Sequence, residues 1–212
     1  MDPRLTDLPS HELVERLASR EPVPGGGSAA AIAASLGAAL VGMVVELTIG
    51  RPEAAAHDEL LADVRTSASR LRAELLELAE TDAAAYEAVV TARRMPRGSD
   101  DEIEARRTAM NDATREATRI PLVTATDAAA ILELAERVAP IGNRNAISDV
   151  GVGALLAAAA SRGAGLNVRI NVPYLAAGDP LAAAATAELD GILATVDARE
   201  RRIAAIVAER MG

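Results

Sequence analysis

The chain of 212 residues has no cysteine, phenylalanine, tryptophan or lysine, and its only tyrosines are Tyr86 and Tyr174. Without cysteine, disulfides, iron–sulfur clusters and thiolate zinc sites are excluded, a usage that agrees with a reducing cytoplasm. Histidine is scarce as well. His11 and His57 have no partner at ligand spacing, so each reads as a lone surface histidine and no metal site is expected. The dearth of aromatics, with a net charge of −9 and a pI near 4.8, removes the stacking platform and basic face that nucleic acid requires. All 22 cations are arginines, which suits bidentate recognition of carboxylates, although genomic base composition produces the same bias.

Also missing is a secretory signal, because residues 1–20 mix Asp2, Asp7, Glu12 and Glu15 with arginines and contain no apolar core. The one membrane candidate, Ser28 to Val45, is built mainly of Ala, Gly and Ser, which gain little from lipid. Ala34, Ala38 and Gly42 form a small-residue stripe along it that lets neighbouring helices approach closely, so it reads as the buried central helix of a bundle.

What is present is helix. Half of the residues are hydrophobic, enough for a core in one domain spanning residues 1–212. Helices are expected over about Leu8–Ser19, with Leu13, Val14 and Leu17 on one face, over about Ser28–Ile49, and as one very long element over Glu53–Met95, stopped by Pro96 and Gly98. Ser99 and Glu102 have capping-box spacing, and the helix they start is expected to be kinked or interrupted at Ile120-Pro121 before reaching about Val138. Helix resumes from about Ile147 to Val172, and Asp179-Pro180 starts the last one, ending near Met211. Leu166 to Val172 alternates like a strand, but a single strand has nothing to pair with, so it reads as the end of a helix. The expectation is an all-α, elongated bundle of long helices. Alanine-rich helices leave wide apolar faces, so a homodimer through helix packing is expected.

Polar chemistry interrupts this background in four places. Pro22-Val23-Pro24-Gly25-Gly26-Gly27-Ser28 brings an extended approach and three glycines to a helix start, where Ser28 can cap and bare amides can face an anion. Asp82 and Tyr86, four apart, share a helix face; they read either as an acid–base pair or as a solvated aspartate beside a packed tyrosine. Asn143, Arg144, Asn145, Ser148 and Asp149 crowd donors and acceptors at one helix start, more than capping by Asn145 or Ser148 requires. Asn167, Arg169 and Asn171 spread over about 200° of a helix and cannot all face one ligand; Arg169 either pairs with Asp149 or Asp82 or meets an anionic substrate.

With Leu47-Thr48-Ile49-Gly50 added, the order and spacing of these motifs resembles the formiminotetrahydrofolate cyclodeaminase and methenyltetrahydrofolate cyclohydrolase family over nearly the whole chain. The resemblance implies an all-helical dimer in the cytoplasm that acts on a tetrahydrofolate derivative without metal, cofactor or membrane. It implies either hydrolysis of methenyltetrahydrofolate to formyltetrahydrofolate or cyclisation of formiminotetrahydrofolate with release of ammonia. A folate-binding dimer that has lost catalysis is the non-enzymatic alternative. Both reactions pass through a tetrahedral carbon between two nitrogens, which calls for a carboxylate near an amidinium cation. Asp82 is the first candidate and Asp149 the second. Asn143, Asn145, Ser148 and Asp149 are candidates to grip the pterin, and Gly25, Gly26, Gly27, Ser28, Arg144 or Arg169 to meet the glutamate carboxylate, with Tyr86 beside Asp82. Where relatives carry a lysine-rich, tyrosine-containing stretch after Gly50, this chain reads Arg51-Pro52-Glu53-Ala54-Ala55-Ala56-His57. Arg93, Arg94 and Arg97 are a candidate replacement patch.

Overall fold

Helices α2 (Gly26–Glu46), α3 (Asp58–Arg94), α4 (Asp100–Val138) and α5 (Ile147–Asn171) run up and down in sequence order, joined by short connections that make consecutive helices antiparallel. The computed structural model describes residues 3–212 and contains no strand among them. These four helices form a bundle, α6 (Pro180–Met211) packs across α4 and α5, and the short α1 (Ser10–Leu17) lies outside. The Leu166–Val172 alternation is helical as expected, and the long helix after Gly50 begins with a separate 3-10 stretch, Pro52–His57, before α3.

Periodicity explains the core. Leu61, Val64, Leu71 and Leu75 of α3 meet Val41, Val44 and Val45 of α2 and Ile131, Leu132 and Val138 of α4, all essentially without solvent contact. The tightest crossing joins α2 and α5 at Gly37 and Gly153, where a β-carbon on Gly37 would lie 2.8 Å from the Gly153 carbonyl oxygen. Small residues do bring helices together as read from the sequence, but the close approach is at Gly37, beside Ala38 and five residues before Gly42. The first expected helix forms as α1, but it buries no residue, and Val14 and Leu17 of its apolar face are exposed.

Local signals set most boundaries. Ser99 and Glu102 form a reciprocal capping box, and the Asp179 side chain accepts from the Leu181 amide at 2.9 Å to start α6. Two expectations are corrected. Ser28 is no cap: α2 starts earlier, at Gly26 with Gly25 as its N-cap residue, and the Ser28 hydroxyl lies inside the bundle. Pro121 does not interrupt α4, which runs through it for 39 residues. The proline lacks the amide that would bond the Ala117 carbonyl, and the Asn171 side-chain amide of α5 donates to that carbonyl instead, at 2.6 Å. A side chain from another helix thus replaces the lost backbone donor.

Unequal helix lengths open the functional region. The Ser28 hydroxyl contacts the Ala79 carbonyl at 2.9 Å, which fixes where the start of α2 meets α3. Beyond that point α3 continues to Arg94, roughly 22 Å at 1.5 Å per residue, with α4 antiparallel beside it. This overhang, the Pro22–Gly27 approach and the C-terminal turn of α5 enclose a cleft.

Candidate active site

The cleft has a volume of about 420 Å³, within the range of small-molecule sites. α3 contributes Asp82, Tyr86, Val89 and Arg93, four positions spaced so that one helix face lines the cavity along its length. The opposite wall is Met110, Thr114 and Ala117 of α4, and Asn167, Ile170 and Asn171 close it from α5, with Tyr174 just beyond.

Asp82 sits directly over the start of α2. A β-carbon on Gly27 would overlap its carboxylate, at 2.5 Å from Cγ and Oδ2 and closer still to Oδ1. The third glycine is therefore a space requirement, and the anion received at this helix start is the protein's own carboxylate. The Ser28 Oγ lies 3.1 Å from Asp82 Oδ2 as well as 2.9 Å from the Ala79 carbonyl. One hydroxyl proton cannot serve both acceptors, so a protonated Asp82 can donate to Ser28 while Ser28 donates to Ala79. Burial pushes the Asp82 carboxyl above its ordinary value, opposed by the bonds from the Ser28 hydroxyl and amide. Asp82 is thus a half-buried group facing the cavity and suited to take up and return a proton.

The sequence candidates divide sharply. Gly25, Gly26, Gly27, Asp82 and Tyr86 line one cavity as expected, while Ser28 lies behind it, buried under Asp82. The Asn143–Asp149 cluster does not join them. It lies at the other end of the bundle, about 27 Å away judged by the 18 residues of α5 between Asp149 and Asn167. Asn143 there bonds the Leu47–Gly50 segment: its amide donates to Thr48 Oγ1 at 2.8 Å and its Nδ2 to the Leu47 carbonyl at 3.2 Å. Asn143, not Asn145 or Ser148, is the cap, accepting from the Asn145 amide at 3.0 Å. Arg144 Nε donates to the Arg210 carbonyl at 2.9 Å, and Asn145 and Ser148 face solvent. Within one subunit these residues and Asp149 do not touch the cavity, so the fold of a single chain does not bring the expected pterin ligands or the second candidate carboxylate to Asp82. Arg169 pairs with Asp190 at 3.3 Å on the outer face of α5, not with Asp82 or Asp149.

Residues 9–189 match the family described as formiminotransferase-cyclodeaminase. The chain belongs to that family. It is 40% identical to a methenyltetrahydrofolate cyclohydrolase of Methylorubrum extorquens over 90% of its own length and 91% of that protein. It is 32% identical to the formimidoyltransferase-cyclodeaminase of Rattus norvegicus, of which it spans only 31%. Its fold matches the crystal structure of a formiminotetrahydrofolate cyclodeaminase from Thermotoga maritima with a TM-score of 0.85 at 23% identity, covering 97% of this chain and 98% of that one.

In this formiminotransferase-cyclodeaminase family member, the residues that the sequence left out of the site are as informative as those it included. Asn167 and Asn171 are four apart, so they share the inner face of α5 while Arg169 points away. Asn167 Nδ2 donates to the Gly163 carbonyl at 3.0 Å, and its side-chain amide lies on the cavity wall beside Gly26, with Nδ2 the nearer atom and Oδ1 the one left without that bond. Val89 and Arg93 continue the Asp82–Tyr86 stripe at helical spacing, a signal present in the sequence. Met110 and Thr114 come from a helix that sequence spacing could not align with α3.

Proposed function

We propose that this protein hydrolyses 5,10-methenyltetrahydrofolate to 10-formyltetrahydrofolate. The observation that carries the reading is Asp82, a half-buried carboxylate with a raised pKa on the wall of a cavity sized for a small heterocycle, in a family with a member 40% identical over 90% of this chain that is named for this activity.

The substrate's bridge carbon lies in an amidinium cation between two nitrogens. An ionised Asp82 stabilises that charge and accepts a proton from the attacking water, giving a tetrahedral carbon bearing a hydroxyl. Breaking the bond to N5 leaves the formyl group on N10. Asp82 returns its proton to N5 and the second proton of water goes to solvent, so the cation is converted to a neutral product with release of one proton. Asn167 Oδ1 accepts from the amide and amino edge of the pterin, and Tyr86 lies against the bridge and ring system. No cofactor beyond the folate takes part, and the absence of cysteine from the chain fits a cytoplasmic enzyme.

The test follows loss of methenyltetrahydrofolate absorbance in parallel with ammonia release from formiminotetrahydrofolate. Hydrolysis alone supports the proposal. Ammonia release without hydrolysis replaces it with the cyclodeaminase reading, which the relationship to the Rattus norvegicus protein favours as second choice. Folate binding without either reaction points to a non-catalytic binding protein.

The active form in this reading is a homodimer. Exposed Leu36 on α2 and exposed Val152 and Leu155 on α5 flank the Gly37–Gly153 crossing and make one apolar face, with Leu155 58% exposed. Leu155→Glu is expected to shift sedimentation from dimer to monomer. A wild-type protein that sediments as a monomer at micromolar concentration overturns the dimer.

A further inference from the structure

We propose that Arg93 binds the glutamate carboxylate of the folate substrate, so that Asp82, Tyr86, Val89 and Arg93 fix the substrate's direction along α3; this rests on the reading of the site as a folate site. Among the described residues, Asp82 and Arg93 are the only charged ones lining the cavity, and they are the first and last positions that α3 contributes to it. Eleven residues separate them, three helical turns and about 20°, so they share a face with their Cα atoms roughly 16 Å apart. From N10 to the α-carboxylate of the glutamate are eight bonds of about 1.4 Å, an extended reach of roughly 10 Å. The arginine side chain can reach ~6 Å back towards the helix N-terminus and the shorter Asp82 side chain tilts the same way by ~2 Å, so the charged groups can approach to about 12 Å, room for that reach plus a contact at each end. With Asp82 at the cationic bridge, Tyr86 and Val89 lie beside the aminobenzoyl ring and the carboxylate arrives at Arg93.

The alternative anchors fail on position or charge. Arg144 lies at the far end of the bundle and Arg169 is paired with Asp190 outside the cavity. The glycine amides at the start of α2 already face the Asp82 carboxylate, which repels a second anion. Arg93 has no carboxylate within 4.0 Å among the described residues, although neighbouring arginines pair, Arg107 with Glu104 at 2.7 Å. Its guanidinium is thus an uncommitted, bidentate donor at the cavity mouth.

The experiment compares methenyltetrahydrofolate with methenyltetrahydropteroate, which lacks the glutamate, in wild type, Arg93→Ala, Arg93→Lys and Arg94→Ala. Wild type is expected to prefer the glutamylated substrate. Arg93→Ala raises KM for that substrate about tenfold with little change in kcat, which abolishes the preference, because an exposed charge-assisted contact made equally in ground and transition states is lost. Arg93→Lys restores part of it, and Arg94→Ala keeps it whole. Equal loss on both substrates, or an undiminished preference in Arg93→Ala, overturns the assignment. If wild type turns over neither substrate, the hydrolase reading fails by itself; calorimetric binding of tetrahydrofolate against tetrahydropteroate to the same variants then decides Arg93 independently, with an unchanged affinity ratio in Arg93→Ala refuting it.

Discussion

Replacing Gly27 by alanine isolates the geometry of the candidate base from the stability of the fold. The added methyl carbon meets Asp82 Cγ and Oδ2 at 2.5 Å and Oδ1 closer still, whereas ordinary contact begins at 3.4 Å, so the carboxylate must retreat by more than about 0.9 Å or swing to another rotamer. Either movement breaks its contact with Ser28, a loss of about 0.5–1.5 kcal/mol. Alanine inside the first turn of α2 regains about 0.5–1 kcal/mol over glycine, so net stability stays within about 1 kcal/mol and Tm within roughly 4 °C. Catalysis is far more sensitive to position than stability, and a misplacement of about 1 Å is expected to lower kcat about 10²-fold. Gly26→Ala is the contrast, because its methyl group meets only the Asn167 amide at an ordinary 3.6 Å and leaves Asp82 in place. The assay is methenyltetrahydrofolate hydrolysis with Tm and helical circular dichroism measured on the same samples. A folded Gly27→Ala enzyme with kcat within threefold of wild type refutes the claim that the close seat of Asp82 on α2 matters for the reaction.

Asp82→Asn is expected to lower kcat at least 10²-fold while helical circular dichroism is retained; activity within tenfold of wild type rules out Asp82 as the base. Because the folded-state carboxyl titrates above its ordinary value, kcat/KM of the free enzyme should fall as pH drops through that raised value. The stability effect has the opposite sign. Across the same window the folded state binds more protons than the unfolded chain, so Asp82 destabilises as pH rises, and Asp82→Asn should flatten that slope in denaturant titrations. Asn171→Ala strands the Ala117 carbonyl opposite Pro121 and should cost about 1–3 kcal/mol, read as a lower midpoint in urea; an unchanged midpoint would mean that water satisfies the carbonyl. Gly37→Ala forces a methyl group to 2.8 Å from a backbone oxygen of α5, and the resulting separation of helices should cost about 1–3 kcal/mol, with a Tm equal to wild type excluding the tight crossing.

Most of the helical order was legible in the residues themselves, because punctuation such as the Ser99–Glu102 box and Asp179-Pro180 acts locally. The face carrying Asp82 and Tyr86 was equally readable, since helical spacing alone aligns side chains on one element. Pro121 misled because proline costs a helix its hydrogen bond only where nothing else supplies a donor, and the donor here is 50 residues further along.

The sequence by itself determined that this chain is helical, that it belongs with folate one-carbon proteins, and that Asp82 lies on the same helix face as Tyr86. Only tertiary structure decided which polar cluster joins that face. Neighbouring helices are antiparallel, so the glycine approach at the start of α2 meets the end of α5, where Asn167 stands, while the Asn143–Asp149 cluster at the start of α5 is carried to the opposite end. Motifs of equal prominence in the chain are thereby separated by the length of a helix, a distance fixed by 1.5 Å of rise per residue and invisible to spacing within any single element.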